Sequence, residues 1–137
     1  MKKQIKITKL DYKRLSNLID NVKNSMRSDI ENILTLRHEI ERAKKVEPRE
    51  ISSKYITMNS EFEIISLDLQ KVMKFKLVYP QEANFSKGKL SVLSPLGCAL
   101  IGCEENDEVE YKVPAGIKKV KIEKILYQPE EVGEFYL

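Results

Sequence analysis

The apolar residues of this chain change period near residue 50, and that change limits what it can fold into. Before it, Leu15, Leu18, Ile19 and Val22, then Ile30, Ile33, Leu34, Leu36, Ile40 and Ala43, recur at three- and four-residue steps. That spacing gives a helix one apolar stripe. After it, Glu61-Phe62-Glu63-Ile64, Met73-Lys74-Phe75-Lys76-Leu77 and Val120-Lys121-Ile122-Glu123 alternate residue by residue, as half-buried strands do. A helical front is followed by an extended rear.

Local signals place the boundaries. Thr8 with Asp11 three residues on has the form of a capping box, and Ile7 can staple against Tyr12, so the first helix should start near Lys9. The polar break from Asp20 to Arg27 is rich in turn-formers, and Ser28 with Glu31 offers a second capping box. Two helices joined by a short turn run antiparallel and bury their stripes together. At 1.5 Å per residue, about fifteen residues give a short coiled coil of roughly 23 Å. In the rear, Asn59-Ser60, Asp68 to Lys71, Ser86 to Lys89, Glu104 to Asp107 and Pro114-Ala115-Gly116 mark turns. Five or six strands so connected imply a mostly antiparallel sheet with one polar face. Pro95 to Gly102, carrying Leu96, Ala99, Leu100 and Ile101, suits a two-turn helix. The expected class is α+β: a helical hairpin over residues 1–47, a polar linker over 48–54, and a β-sheet domain with one short helix over 55–137.

Composition narrows the function classes. With 42% hydrophobic and 33% charged residues, and only five Pro and five Gly, the chain fits one folded unit with an appendage. No stretch approaches the roughly 18 apolar residues of a membrane span, and no apolar run follows the charges of Met1-Lys2-Lys3, so a cytoplasmic protein is expected. Cys98 and Cys103 read as reduced, buried thiols, since the spacing is not C-x-x-C and nothing completes a zinc set. No phosphate-cradling glycine motif occurs, and His38 falls on the polar side of its helix with no nucleophile in view. These features imply no cofactor and no catalytic residue. Residues 1–50 hold 13 Lys and Arg against 8 acids and residues 51–137 hold 11 against 13, so the front is basic and the rear mildly acidic. A front of that density need meet nothing but water.

Near the turn between the helices lie Asp20, Arg27, Asp29 and Glu31. Carboxylates at the end of a hairpin could share a divalent ion with an acceptor site elsewhere; equally, Asp29 and Glu31 fit the first turn of a helix, where the dipole favours acids. Both readings stand on the sequence.

The wording of the rear segment resembles the Gre transcript-cleavage factors of bacterial RNA polymerase. Thr57-Met58-Asn59-Ser60, Leu77-Val78-Tyr79-Pro80, Leu90 to Gly97, Ala99-Leu100-Ile101-Gly102 and Asp107-Glu108-Val109 carry the resemblance. Tyr127-Gln128-Pro129-Glu130 and Gly133-Glu134-Phe135-Tyr136-Leu137 look like the short-armed members of that family. The front agrees through Ile7-Thr8-Lys9-Leu10-Asp11 and Glu39-Ile40-Glu41-Arg42-Ala43. Two departures are visible: Asn106 stands where Gly is usual, and Ala115 replaces the first Gly of a Pro-Gly-Gly turn, which shifts the demand for positive φ onto Gly116.

The resemblance implies an FKBP-like rear domain without prolyl isomerase activity, docked at the rim of the secondary channel of core RNA polymerase. It implies contact with nucleic acid only indirectly, no membrane and a monomer. Ser94, Pro95, Leu96, Gly97, Leu100 and Gly102 are the expected polymerase-binding set, with Leu100 and Gly102 also suited to packing on the sheet; the hairpin tip is a second contact. An arm of roughly 23 Å is much shorter than a Gre coiled coil, so the expected function is a non-enzymatic regulator that competes with Gre factors. Cleavage stimulation by the tip carboxylates, or an FKBP-like interaction module unrelated to polymerase, are the alternatives.

Overall fold

The structure is a computed structural model that describes residues 5–21, 27–131 and 133, with the side chains of 21 and 27–30 outside the description. Thr8 sets the start of the first helix. Its Oγ1 accepts the Asp11 N–H at 3.0 Å, satisfying one of the donors that a helix start leaves open, and α1 runs over Lys9–Asn21. The second helix, α2, spans Arg27–Arg42, which puts Ser28 inside the helix rather than ahead of it; the Ser28 side chain lies outside the described residues. Tyr12 Oη donates to Glu41 Oε1 at 2.7 Å and Arg37 donates to Asp20 Oδ1 at 2.8 Å. The start of α1 therefore lies beside the end of α2, and the helices run antiparallel. Leu15 and Ile19 from α1, and Ile33, Leu36 and Ile40 from α2, are all buried.

Two short strands flank this pair. β1 (Lys6–Thr8) leads into α1, β2 (Lys44–Val46) follows α2, and the two pair in parallel with Ile7 opposite Lys45. Segments of three residues are too short to show alternation, so the sequence carries no sign of them. Lys44 N–H donates to the Ile5 carbonyl at 2.9 Å, and Lys6 N–H donates to the Gly102 carbonyl at 3.1 Å. The second bond ties the helical front to the rear. Gly102 has φ +79°, and a Cβ there would meet Ile5 Cβ and the Lys6 carbonyl at 3.0 Å; the seat of β1 depends on that glycine.

In the rear, β3 (Glu61–Ser66), β4 (Lys71–Val78), β5 (Lys89–Ser91), β6 (Glu108–Val113) and β7 (Gly116–Tyr127) form one sheet in the order β5-β4-β3-β7-β6. Every pairing is antiparallel except β4 with β5. The long β7 pairs with both β3 and β6, and two register shifts against β3 curl the sheet. Phe62, Ile64, Phe75, Leu77, Val109, Val120 and Ile122 are buried on one face. A short helix, α3 (Pro95–Leu100), adds Cys98 and Leu100 to the same core. The helical stripes belong to it too: Leu15, Leu36 and Ile40 share one apolar cluster with Phe62, Leu77 and Ile122. Asn106 (φ +75°) and Gly116 (φ +130°) take the left-handed turn positions expected of them. No helix among the described residues is long and apolar enough to cross a membrane.

Candidate protein-docking site

The segment around α3 is built by a serine, a proline and a glycine. Ser94 Oγ accepts the Gly97 N–H at 3.0 Å and donates to the Ser91 carbonyl at 2.7 Å, so one hydroxyl caps the helix and fixes the loop before it. Pro95 occupies the first helical position, where its missing N–H costs nothing. Gly97 is held against the preceding strand end so closely that a Cβ would sit 2.0 Å from the Ser91 carbonyl oxygen. Packing then divides the six residues expected to form a contact surface. Leu96, Gly97, Leu100 and Gly102 are buried, whereas Ser94 and Pro95 are partly exposed, as are Leu93 and Ala99 beside them. The outward surface of this turn is thus Leu93, Ser94, Pro95 and Ala99. Cys98 and Cys103 are buried thiols, their Sγ atoms directed at the carbonyls of Pro95 and Ala99.

At the other end, Asp20 is engaged by Arg37 across the helix pair. Glu31 is exposed, and its carbonyl accepts the Thr35 hydroxyl at 3.0 Å. The side chains of Arg27 and Asp29 lie outside the described residues. Among the described residues no group of three His, Cys, Asp or Glu could hold a metal ion. His38 is exposed.

The structure also assembles a polar junction that periodicity could not show. Asp11 is 2% exposed. Its carboxylate leaves the capping box open and instead accepts the Met58 N–H at 3.1 Å, joining α1 to the loop ahead of β3. Next to it, Thr57 Oγ1 donates to Glu130 Oε1 at 2.7 Å and shares a 2.8 Å hydrogen bond with Ser60 Oγ. Burial, followed by the charge of Glu130, pushes the Asp11 carboxyl up from an ordinary 3.8 to about 7. Burial likewise raises the Glu130 carboxyl and the Tyr79 phenol, and the Arg14 guanidinium opposes all three shifts. Gln128, fully buried, donates to the carbonyls of Ser52 and Tyr55 at 2.8 and 2.9 Å. The Thr57–Ser60 and Gln128–Glu130 words of the sequence are therefore what stitch the linker and α1 to the sheet. Between α1 and the turn after β4 an open cleft of about 580 Å³ is lined by Arg14, Leu18, Tyr79, Gln81 and Glu82.

With this geometry in place, similarity to known proteins becomes informative. Residues 51–127 match the family described as "Transcription elongation factor, GreA/GreB, C-term". The chain belongs to the GreA/GreB family. Residues 3–46 match "Rnk N-terminus", which makes it an Rnk-type member. It is 33% identical over 103 residues to the regulator of nucleoside diphosphate kinase of Escherichia coli, covering 74% of this chain and 76% of that one. It is 39% identical over 89 residues to transcription elongation factor GreA of Nautilia profundicola, covering 65% of this chain and 55% of that relative. Among solved structures, a prokaryotic GreA/GreB elongation factor from Nitrosomonas europaea superposes with a TM-score of 0.71 at 34% identity, covering 92% of this chain and all of the other. A GreA/GreB-like α+β fold and a transcription-elongation-factor-like regulator follow from these matches. The Ser94-Pro95 turn, the Thr57–Ser60 loop and Gln128 all fall inside or at the edge of the GreA/GreB match.

Proposed function

We propose that this Rnk-type member of the GreA/GreB family is a non-enzymatic regulator that binds core RNA polymerase at the rim of the secondary channel and competes there with Gre factors. In this reading an FKBP-like unit over residues 55–137 docks, a short helical hairpin over 1–47 projects inward, and 48–54 links them. The chain acts as a cytoplasmic monomer and meets nucleic acid only through the polymerase. One observation carries the reading: a GreA/GreB rear segment over 51–127 is joined to helices of only 13 and 16 residues, or about 20 and 24 Å. Tip carboxylates on so short an arm fall short of a metal deep in the enzyme, and Asp20 is already paired with Arg37. Docking through Ser94 and Pro95, with Leu93 and Ala99 beside them, uses the part of the expected surface that faces outward; the hairpin tip is the second contact.

The test is a binding and competition assay with the full chain. Immobilised protein should retain core polymerase, replacing Ser94 and Pro95 by Glu should abolish retention, and the wild type should slow Gre-stimulated shortening of transcripts in backtracked complexes. If the chain alone shortens the transcript 3′ end, it is a cleavage factor. Failure to retain polymerase under any condition would leave an interaction module with another partner.

A further inference from the structure

The outward face of the sheet is a lattice of opposite charges with one exception. Across β3 and β4, Glu61 lies opposite Lys76 and Glu63 opposite Lys74; across β3 and β7, Glu63 lies opposite Lys124. Across β6 and β7, Glu108 lies opposite Lys121 and Glu110 opposite Lys119, the last pair 3.4 Å apart. Neighbours in register share a face, and opposite charges there stabilise a sheet while like charges destabilise it. At the β4–β5 edge the rule fails, because Lys76 lies opposite Lys89.

The loop before β5 adds to that concentration of charge. Asn84 and Lys89 exchange both backbone hydrogen bonds at 3.0 Å, Gly88 turns with φ +75°, and Lys76 N–H donates to the Gly88 carbonyl at 2.7 Å. This fold-back brings Lys87 and Lys89 beside Lys74 and Lys76, and the four line an open groove of about 370 Å³ with Glu61 and Phe75. None of the four closes an ion pair among the described residues. Phe85, 71% exposed, rests its ring on Phe75 at 5.6 Å between centroids, outside the groove lining. Like charges held together where complementary pairing is the rule elsewhere signal a role outside folding.

We infer that this groove docks a short acidic segment of a partner protein, with its carboxylates on the four lysines. A protein segment suits the site better than a nucleic acid for two reasons. A continuous phosphate backbone would have to pass Glu61 in the groove and Glu63 beside it, whereas a short peptide can set its few carboxylates on the lysines alone, and the groove offers no row of aromatic rings on which bases could stack. The surface is separate from the Ser94-Pro95 turn and does not depend on the polymerase reading.

The experiment uses fluorescence anisotropy on the full chain with three probes: a short Glu-rich peptide, its Gln-substituted neutral analogue, and a single-stranded oligonucleotide of the same net charge. The acidic peptide should bind, weaken several-fold between about 50 and 200 mM salt, and exceed the other two probes. Combining Lys87→Glu with Lys89→Glu should weaken binding by about tenfold or more, roughly two surface contacts turned repulsive, whereas Lys13→Glu on α1 should not. Because Glu at 89 replaces a like-charge pair by an opposite one, the melting temperature of the double variant should hold or rise, which separates lost binding from lost folding. Lys87→Gln with Lys89→Gln should give an intermediate loss. The proposal is overturned if the acidic peptide does not bind, if the double variant binds it as the wild type does, or if the oligonucleotide binds more tightly.

Discussion

Replacing Asp11 by Asn tests the buried junction between α1 and the sheet. The Asp11 carboxyl stands at about 7 against an ordinary 3.8, so the folded chain holds a proton there that the unfolded chain releases. The folded state pays nothing below about pH 4, an increasing cost between about 4 and 7, and the full cost above 7. A rise from 3.8 to about 7 costs about 4 kcal/mol above neutrality. Asn keeps the shape and an oxygen for the Met58 N–H but accepts less strongly than a carboxylate, a loss of about 1 kcal/mol. The variant should therefore be more stable than wild type at pH 8 by about 3 kcal/mol, or about 10 °C in melting temperature for a chain of this size. Near pH 4, where the folded carboxyl is neutral and the unfolded one is about half ionised, the cost is only about half a kcal/mol and the variant should show no gain. Glu130 is raised for the same reason, so a shallower slope with the same sign should survive in the variant. Urea unfolding followed by far-UV circular dichroism at pH 4, 6 and 8 reads both curves. Parallel curves, or a variant less stable than wild type at pH 8, would mean that Arg14 and the Met58 N–H offset burial and leave the Asp11 carboxyl near its ordinary value; the reasoning would then be wrong.

Three further outcomes are expected from the packing. Gly97→Ala should destabilise by about 3 kcal/mol or fail to fold, because its Cβ meets the Ser91 carbonyl at 2.0 Å and backbone must move; a thermal melt shows which. Ser94→Ala should cost about 1 kcal/mol through loss of the α3 cap, seen as an earlier urea midpoint. Gln128→Leu should cost about 2 to 3 kcal/mol by leaving the Ser52 and Tyr55 carbonyls without their donor, and hydrogen exchange should rise first in the 48–54 segment.

How much of this could be read in advance differs from element to element. Where the controlling interaction spans three or four residues, the sequence sufficed: Thr8 starts α1, Pro95 opens α3, and Asn106 and Gly116 turn the chain with positive φ. Period two located the core faces of β3, β4 and β7, because alternation is a property of the strand itself. The contact surface was only partly legible: the stretch from Ser94 to Gly102 was recognisable, but which of its residues face out was not. Leu96, Gly97, Leu100 and Gly102 turn inward because α3 is short and lies flat on a core that also receives the helical stripes.

Sequence by itself determined the two periods, the starts of α1 and α3, the turns and the family resemblance, all set by neighbours along the chain. Only the tertiary structure decided that Asp11 abandons its own helix start for the Met58 N–H 47 residues away, that β1 and β2 close into a parallel pair, and that Lys76 comes to lie beside Lys89. Each of these joins groups distant along the chain. Strand register, and the burial that makes a carboxylate costly, exist only once those distant segments have met.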